Sequence, residues 1–156
     1  MSTDSPWTRT LAGRPAVGAC AERSRTTTMH DVEMFTAMTG DKNPIHYDVD
    51  MAANSPFGDL IVQGGVTTGL LNAVVAEDLP GPGSVFLETS WRFVKAVKVG
   101  ETITASVRVE QVRDEKPICK LETIVRNAAG ESCVIGTATT YTVPLRRQDS
   151  GDKDAA

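Results

Sequence analysis

Only two histidines and three cysteines occur in this chain of 156 residues, and Cys20, Cys119 and Cys133 stand far apart with no C-x-x-C spacing. A structural zinc site takes four such ligands at short spacings, so none is expected. No apolar run approaches the roughly 18 residues that a bilayer crossing requires, and no membrane span is expected. The opening segment MSTDSPWTRTLAGRP lacks the apolar centre of a secretory signal. A cytoplasmic, reducing setting for the three thiols is the expectation that follows. Positive charge is also sparse: 16 Lys and Arg against 20 Asp and Glu give −4 at neutral pH. Those cations are scattered rather than massed in a stripe, which argues against nucleic acid as the main partner.

What remains is the composition of a globular protein, 40% hydrophobic and 23% charged. A chain of this length buries roughly two thirds of its unfolded surface as one domain. Residues 14–145 are expected to form that domain. Residues 1–13 and the polar end RRQDSGDKDAA, residues 146–156, read as disordered tails. Nothing repeats internally.

The first half of the domain reads helical and the second half reads as strands. In TTTMHDVEMFTAMTG, Thr28 is an N-cap, Asp31 suits the positive helix end, and Gly40 is a stop, so a helix is predicted at about 29–38. In GGVTTGLLNAVVAEDLPGPG the run from Val66 to Val75 is apolar on most sides, as a helix enclosed by other structure would be. Beyond Ser84 the period becomes two. Ile103, Ala105, Val107 and Val109 alternate with Thr102, Thr104, Ser106 and Arg108, and the stretches 85–98, 117–127 and 132–143 read similarly. Turn signals at KVGE, RDEKP and NAAGE separate them, which predicts a four-stranded antiparallel meander. A strand at about 17–26 joins it. The architecture implied is α+β, with an antiparallel sheet curled around one buried helix.

Two constellations carry chemistry. In GDKNPIHYD, Pro44 biases Asn43 away from helix, so Asp41 and His46 can converge across a tight turn and hold one water between them. Spacing alone favours the plainer reading, with Asp41 as turn former or cap and His46 as a partly buried ring. In IVQGGVTTG, Gly64 and Gly65 open the buried helix and expose backbone N–H groups at its positive end, able to hold a carbonyl oxygen that gains negative charge. Close helix packing is the alternative there. The glycines do not match a G-x-G-x-x-G phosphate loop. Together the two sites allow acid and base chemistry at a carbonyl without naming the reaction.

The stretch FTAMTGDKNPIHYDVDMAANSPFGDLIVQGGV resembles the hydratase signature of the MaoC-like family, and the likeness extends over about residues 17–143. (R)-specific enoyl-CoA hydratases of that family carry an Asp-x-Asn-Pro-x-His loop and a glycine at the start of the central helix. The resemblance implies a hotdog fold, a curved antiparallel sheet wrapped around a long central helix. It implies a homodimer whose sheets join edge to edge. It assigns Asp41 and His46 as the catalytic pair, Gly64 and Gly65 as thioester-carbonyl donors, and Asn43 as an orienter of the loop. The implied substrate is an acyl-CoA thioester, with coenzyme A as part of the substrate and no further cofactor or metal. Dehydration of an acyl-carrier-protein thioester, and a structural role in a heteromeric dehydratase, are the alternatives. Gln63 stands where many relatives have a histidine, and Asn72 lies near where some have a serine. Asn72 follows Gly65 by seven residues, which puts their directions within about 20° on a helix. Both positions are expected to act on substrate choice.

Overall fold

The fold was taken from a computed structural model that describes residues 4–146. Strand β1, Cys20–Thr26, is followed by helix α1, Met29–Thr39, and by the short helix α2, Val49–Ala53. Helix α3, Gly64–Ala73, runs into a π turn at Val74–Asp78, and then come β2, Ser84–Phe93, β3, Thr102–Val112, β4, Ile118–Asn127, and β5, Ser132–Thr142. The five strands form one antiparallel sheet in the order β1-β3-β4-β5-β2.

Helix α1 begins where its sequence says it must. Thr28 accepts from the Asp31 N–H at 3.2 Å and the Asp31 carboxylate accepts from the Thr28 N–H at 2.9 Å, a complete capping box. The Asp31 carboxylate also pairs with Arg25 of β1, which ties the helix start to the sheet. Gly40 ends the helix at φ 82°, a left-handed conformation that glycine adopts without a Cβ penalty.

Alternation on β3 is as expected: Ile103, Ala105, Val107 and Val109 are buried, and Thr102 and Arg108 are exposed. Those side chains meet Leu71, Val74 and Val75 of the central helix and Leu121, Val125 and Val134 of the neighbouring strands in one core. Register shifts at Phe86/Glu88, Val109/Gln111 and Val125/Arg126 bend the strands around that helix. At Gly136 of β5 the sheet is tightest, since a Cβ there would lie 1.9 Å from the Ser90 carbonyl oxygen of β2. This is the α+β hotdog arrangement.

Two expectations fail. The four later strands do not form a simple meander: β3, β4 and β5 do, but β2 lies on the far edge beside β5. Residues 94–101 leave the sheet and cross to its other side, held by the Val62 N–H on the Val97 carbonyl at 2.9 Å and the Val99 N–H on the Leu60 carbonyl at 3.0 Å. The KVGE signal is a real turn that closes this crossover rather than a hairpin, and the strand predicted over 85–98 stops at Phe93.

The first residues are also not a loose end. Pro6–Arg9 form a 3-10 turn, Trp7 is 1% exposed, and its indole N–H donates to the Arg113 carbonyl at 2.9 Å. A single aromatic with a satisfied N–H is enough to dock the segment on the core. The C-terminal tail predicted over 146–156 lies, apart from Arg146, outside the described residues.

Candidate active site

A series of local caps builds the loop after α1. The Asp41 N–H donates to Thr39 Oγ1 at 3.1 Å, Asp41 Oδ1 accepts from the Asn43 N–H at 3.2 Å, and Asn43 Oδ1 accepts from the Ile45 N–H at 3.4 Å. Pro44 then opens a 3-10 turn, Pro44–His46, whose first position needs no N–H donor. Asp48 caps α2 through the Met51 N–H at 2.9 Å. Asn43 thus holds the turn that faces Asp41 toward His46.

His46 is 5% exposed, and its Nδ1 lies 2.6 Å from the Ile61 carbonyl oxygen. A carbonyl can only accept, so Nδ1 carries a proton and the tautomer with that proton leaves its lone pair on Nε2. That Nε2 is 3.9 Å from Asp41 Oδ2. The separation is too long for a direct hydrogen bond and suits one water held by both groups.

His46 and Gly64 line a mostly apolar cavity of about 420 Å³, together with Ile45, Phe57, Ile61, Val62, Thr67, Phe93, Val97 and Val134. Lys95 lines it too, but its ammonium is held by Glu131 at 2.6 Å, which pushes the lysine pKa up. Gly64 and Gly65 are the first residues of α3, and among the described residues no protein acceptor takes either N–H. A Cβ on Gly64 would come 2.8 Å from Phe93 Cε1, and one on Gly65 would come 2.2 Å from Phe35 Cε2. Successive residues on a helix point about 100° apart, and the two glycines serve different surroundings. Gly64 faces the cavity with His46, whereas Gly65 lines a separate hollow between α1 and α3.

Gln63 is 1% exposed and does not line the His46 cavity. Its Nε2 donates to the Val32 carbonyl at 3.1 Å and to Thr36 Oγ1 at 3.2 Å, while its Oε1 is buried without a partner. It supports the loop from behind. Asn72 is exposed and also lies outside the cavity lining. The helical arithmetic aligns it with Gly65, which lines the other hollow, rather than with Gly64, which lines the His46 cavity.

Sequence reading did not find Phe57, Phe93, Thr36 or Tyr47. The two phenylalanines come from separate segments that converge only in the fold. Thr36 lies about one helical turn past Val32 and carries no signature of its own. Among the described residues no three His, Cys, Asp or Glu side chains gather as a metal site would need. Burial pushes the Cys119 thiol up to about 11 and raises that of Cys133, so neither is a thiolate nucleophile near neutral pH.

The MaoC like domain description matches residues 13–129. The chain belongs to this family. It is 36% identical over 122 residues to an (R)-specific enoyl-CoA hydratase of Aeromonas caviae, a match covering 78% of this chain and 91% of that one. It is 33% identical over 118 residues to a 3-hydroxybutyryl-CoA dehydratase of Methylorubrum extorquens, covering 76% and 74%. The solved structure of an (R)-hydratase from A. caviae involved in PHA biosynthesis superposes with a TM-score of 0.79 at 34% identity, covering 83% of this chain and 98% of that one. No helix among the described residues is long and apolar enough to cross a membrane.

Proposed function

We propose that the protein is an (R)-specific enoyl-CoA hydratase, adding water to a trans-2-enoyl thioester and running the reverse dehydration of an (R)-3-hydroxyacyl thioester. The observation that carries this reading is the 3.9 Å gap between Asp41 Oδ2 and His46 Nε2 beside the free helix start at Gly64. A water in that gap donates one hydrogen to each group, which leaves an oxygen lone pair to attack C3. As the C3–O bond forms, the C2–C3 π electrons move toward the thioester carbonyl, whose oxygen becomes an enolate. The Gly64 N–H, backed by the positive end of α3, stabilises that oxygen. One proton passes from the water to the pair and one returns from the pair to C2, so both groups end as they began. The apolar cavity walls receive the acyl chain.

In this reading Asn43 orients the loop and Gln63 braces it, and Gly65 serves the contact with Phe35 instead of the carbonyl. Coenzyme A enters as part of the substrate. The working unit is a homodimer. Strand β2 is a sheet edge ten residues long with Val85, Leu87 and Phe93 exposed, and an edge of that kind calls for a partner strand. A second copy of this chain meets that need. A cytoplasmic setting belongs to the same proposal.

The test follows absorbance of the enoyl thioester band with crotonyl-CoA and octenoyl-CoA, with chiral analysis of the product. Asp41→Asn and His46→Gln should each lower turnover roughly 10²-fold or more without loss of fold. Near-normal activity in either variant removes that residue from the mechanism. Inactivity on CoA esters with activity on carrier-protein thioesters would favour the carrier-protein dehydratase, and inactivity on both would favour the structural subunit. Light scattering of an active monomer would refute the dimer.

A further inference from the structure

The Asp41 carboxylate has little to hold it in place. Its side chain is 39% exposed, and its protein hydrogen bond is the one from the Asn43 N–H to Oδ1. Its direction is therefore set by its backbone, which Gly40 turns on one side and a threonine grips on the other. Thr36, in the last turn of α1, has its Oγ1 2.7 Å from the Asp41 carbonyl oxygen, 3.0 Å from the Val32 carbonyl oxygen and 3.2 Å from Gln63 Nε2, and in contact with the Tyr47 hydroxyl.

A hydroxyl has one proton and two lone pairs, which decides how these contacts are used. The Gln63 amide nitrogen only donates, so Thr36 accepts from it. The Val32 carbonyl already accepts the second Gln63 N–H at 3.1 Å, and the Tyr47 hydroxyl stands 3.5 Å from it. The Thr36 proton therefore goes to the closer carbonyl, that of Asp41, and Tyr47 donates to the remaining lone pair of Thr36. A threonine hydroxyl in a helix ordinarily bonds back to the carbonyl four residues earlier. Here the same oxygen, still 3.0 Å from that carbonyl, lies closer, at 2.7 Å, to the one peptide that carries the Asp41 carboxylate, with each of its bonding positions used.

We infer that Thr36, gripped by Gln63 and Tyr47, is the positioning residue of the site: its hydroxyl fixes the peptide after Asp41 and so holds the carboxylate over His46. The inference rests on the hydratase reading for its effect on turnover, but its geometry does not. Gln63 is then explained as well. Its two donated bonds are its function, and they reach Val32 and Thr36 across 31 and 27 residues of sequence.

The test uses the full chain with Thr36→Val, which keeps the shape and deletes the hydroxyl, and Thr36→Ser, which keeps the hydroxyl and deletes the methyl. Turnover and KM on crotonyl-CoA are read beside the amide proton and nitrogen shifts of Asn43, whose N–H bonds to the Asp41 carboxylate. The Asp41→Asn variant supplies the shift expected when that charged acceptor is lost. Thr36→Val should lower kcat roughly 10- to 100-fold with KM within about threefold, since displacement near 1 Å is enough for such a loss. Its Asn43 amide should move toward the Asp41→Asn position. Thr36→Ser should match the wild type in both readouts. An unmoved amide and normal kcat in Thr36→Val overturn the inference, as does a loss in Thr36→Ser equal to that in Thr36→Val. Should Thr36→Val not fold, Tyr47→Phe removes one grip and should shift the amide part of the way with a smaller fall in kcat; no change in either overturns it. If the wild type proves inert toward enoyl thioesters, the hydratase reading falls while the amide shifts still decide the positioning.

Discussion

Adding one methyl group to each of the two glycines that open α3 should have opposite consequences. Neither residue has a positive φ, so the requirement for glycine is one of space and not of backbone conformation. In Gly65→Ala the new Cβ would stand 2.2 Å from Phe35 Cε2 and 2.3 Å from Cζ. Ordinary carbon contacts lie at about 3.5–4.0 Å, so the ring must retreat by more than about 1 Å. The hollow beside Phe35 gives it somewhere to go, at the expense of its packing on α3. Overpacking of this kind costs about 1–3 kcal/mol, and the gain of alanine over glycine in a helix returns at most about 1 kcal/mol. The net is a loss of up to about 2 kcal/mol, or a fall in Tm of up to about 8 °C for a domain of this size. In Gly64→Ala the contact is with Phe93 Cε1 at 2.8 Å, the end of one side chain, which has less far to give than Phe35 does at Gly65. Stability should then stay within about 0.5 kcal/mol of the wild type, as for other surface changes. The methyl projects into the His46 cavity, where the proposed mechanism brings the thioester carbonyl, so turnover should fall at least about 10-fold. Thermal melts and steady-state assays on the two variants give the comparison. A Gly65→Ala variant as stable as Gly64→Ala would refute the packing argument, and a fully active Gly64→Ala would remove that residue from the carbonyl site.

Trp7→Ala should cost about 3–5 kcal/mol in urea unfolding, as for other large core aromatics, whereas a tail residue would cost under about 0.5 kcal/mol. The hydrogen bond from Arg25, opposed by burial and aided by the Thr28 amide and the guanidinium charge, holds the Asp31 carboxyl below its ordinary value. Because the folded value is the lower one, this pair contributes stability above the unfolded value of about 4 and loses it as pH falls through the folded value. Arg25→Met should therefore lower Tm at pH 7, and the deficit should shrink as pH falls through the folded value; a deficit that stayed constant throughout acid titration would refute the linkage. Asn72→Ala should leave the ratio of kcat/KM between octenoyl-CoA and crotonyl-CoA unchanged, and a shifted ratio would return Asn72 to the acyl pocket.

What could be read from sequence was what the chain encodes locally. The capping box at Thr28 and Asp31, the stop at Gly40 and the alternation along β3 each depend on residues a few positions apart, and each is present. The approach of Asp41 to His46 belongs to the same class, because the turn that joins them is built from Asn43 and Pro44 between them. Strand order was not legible for the corresponding reason: a turn signal reports that the chain bends, and the KVGE bend is compatible with a hairpin or with the end of a crossover. What decides is the pairing of Val62 with Val97 and of Leu60 with Val99, set by where α3 must lie. Trp7 was misread because the polar residues around it describe a tail, while one indole docked on Arg113 outweighs them. The same division runs through the site. The proposed acid and base are neighbours in sequence, but the hydroxyl and amide behind them meet only when α1 and the start of α3 are brought together, so the pair can be read from a short stretch of chain while the contacts behind it need the fold.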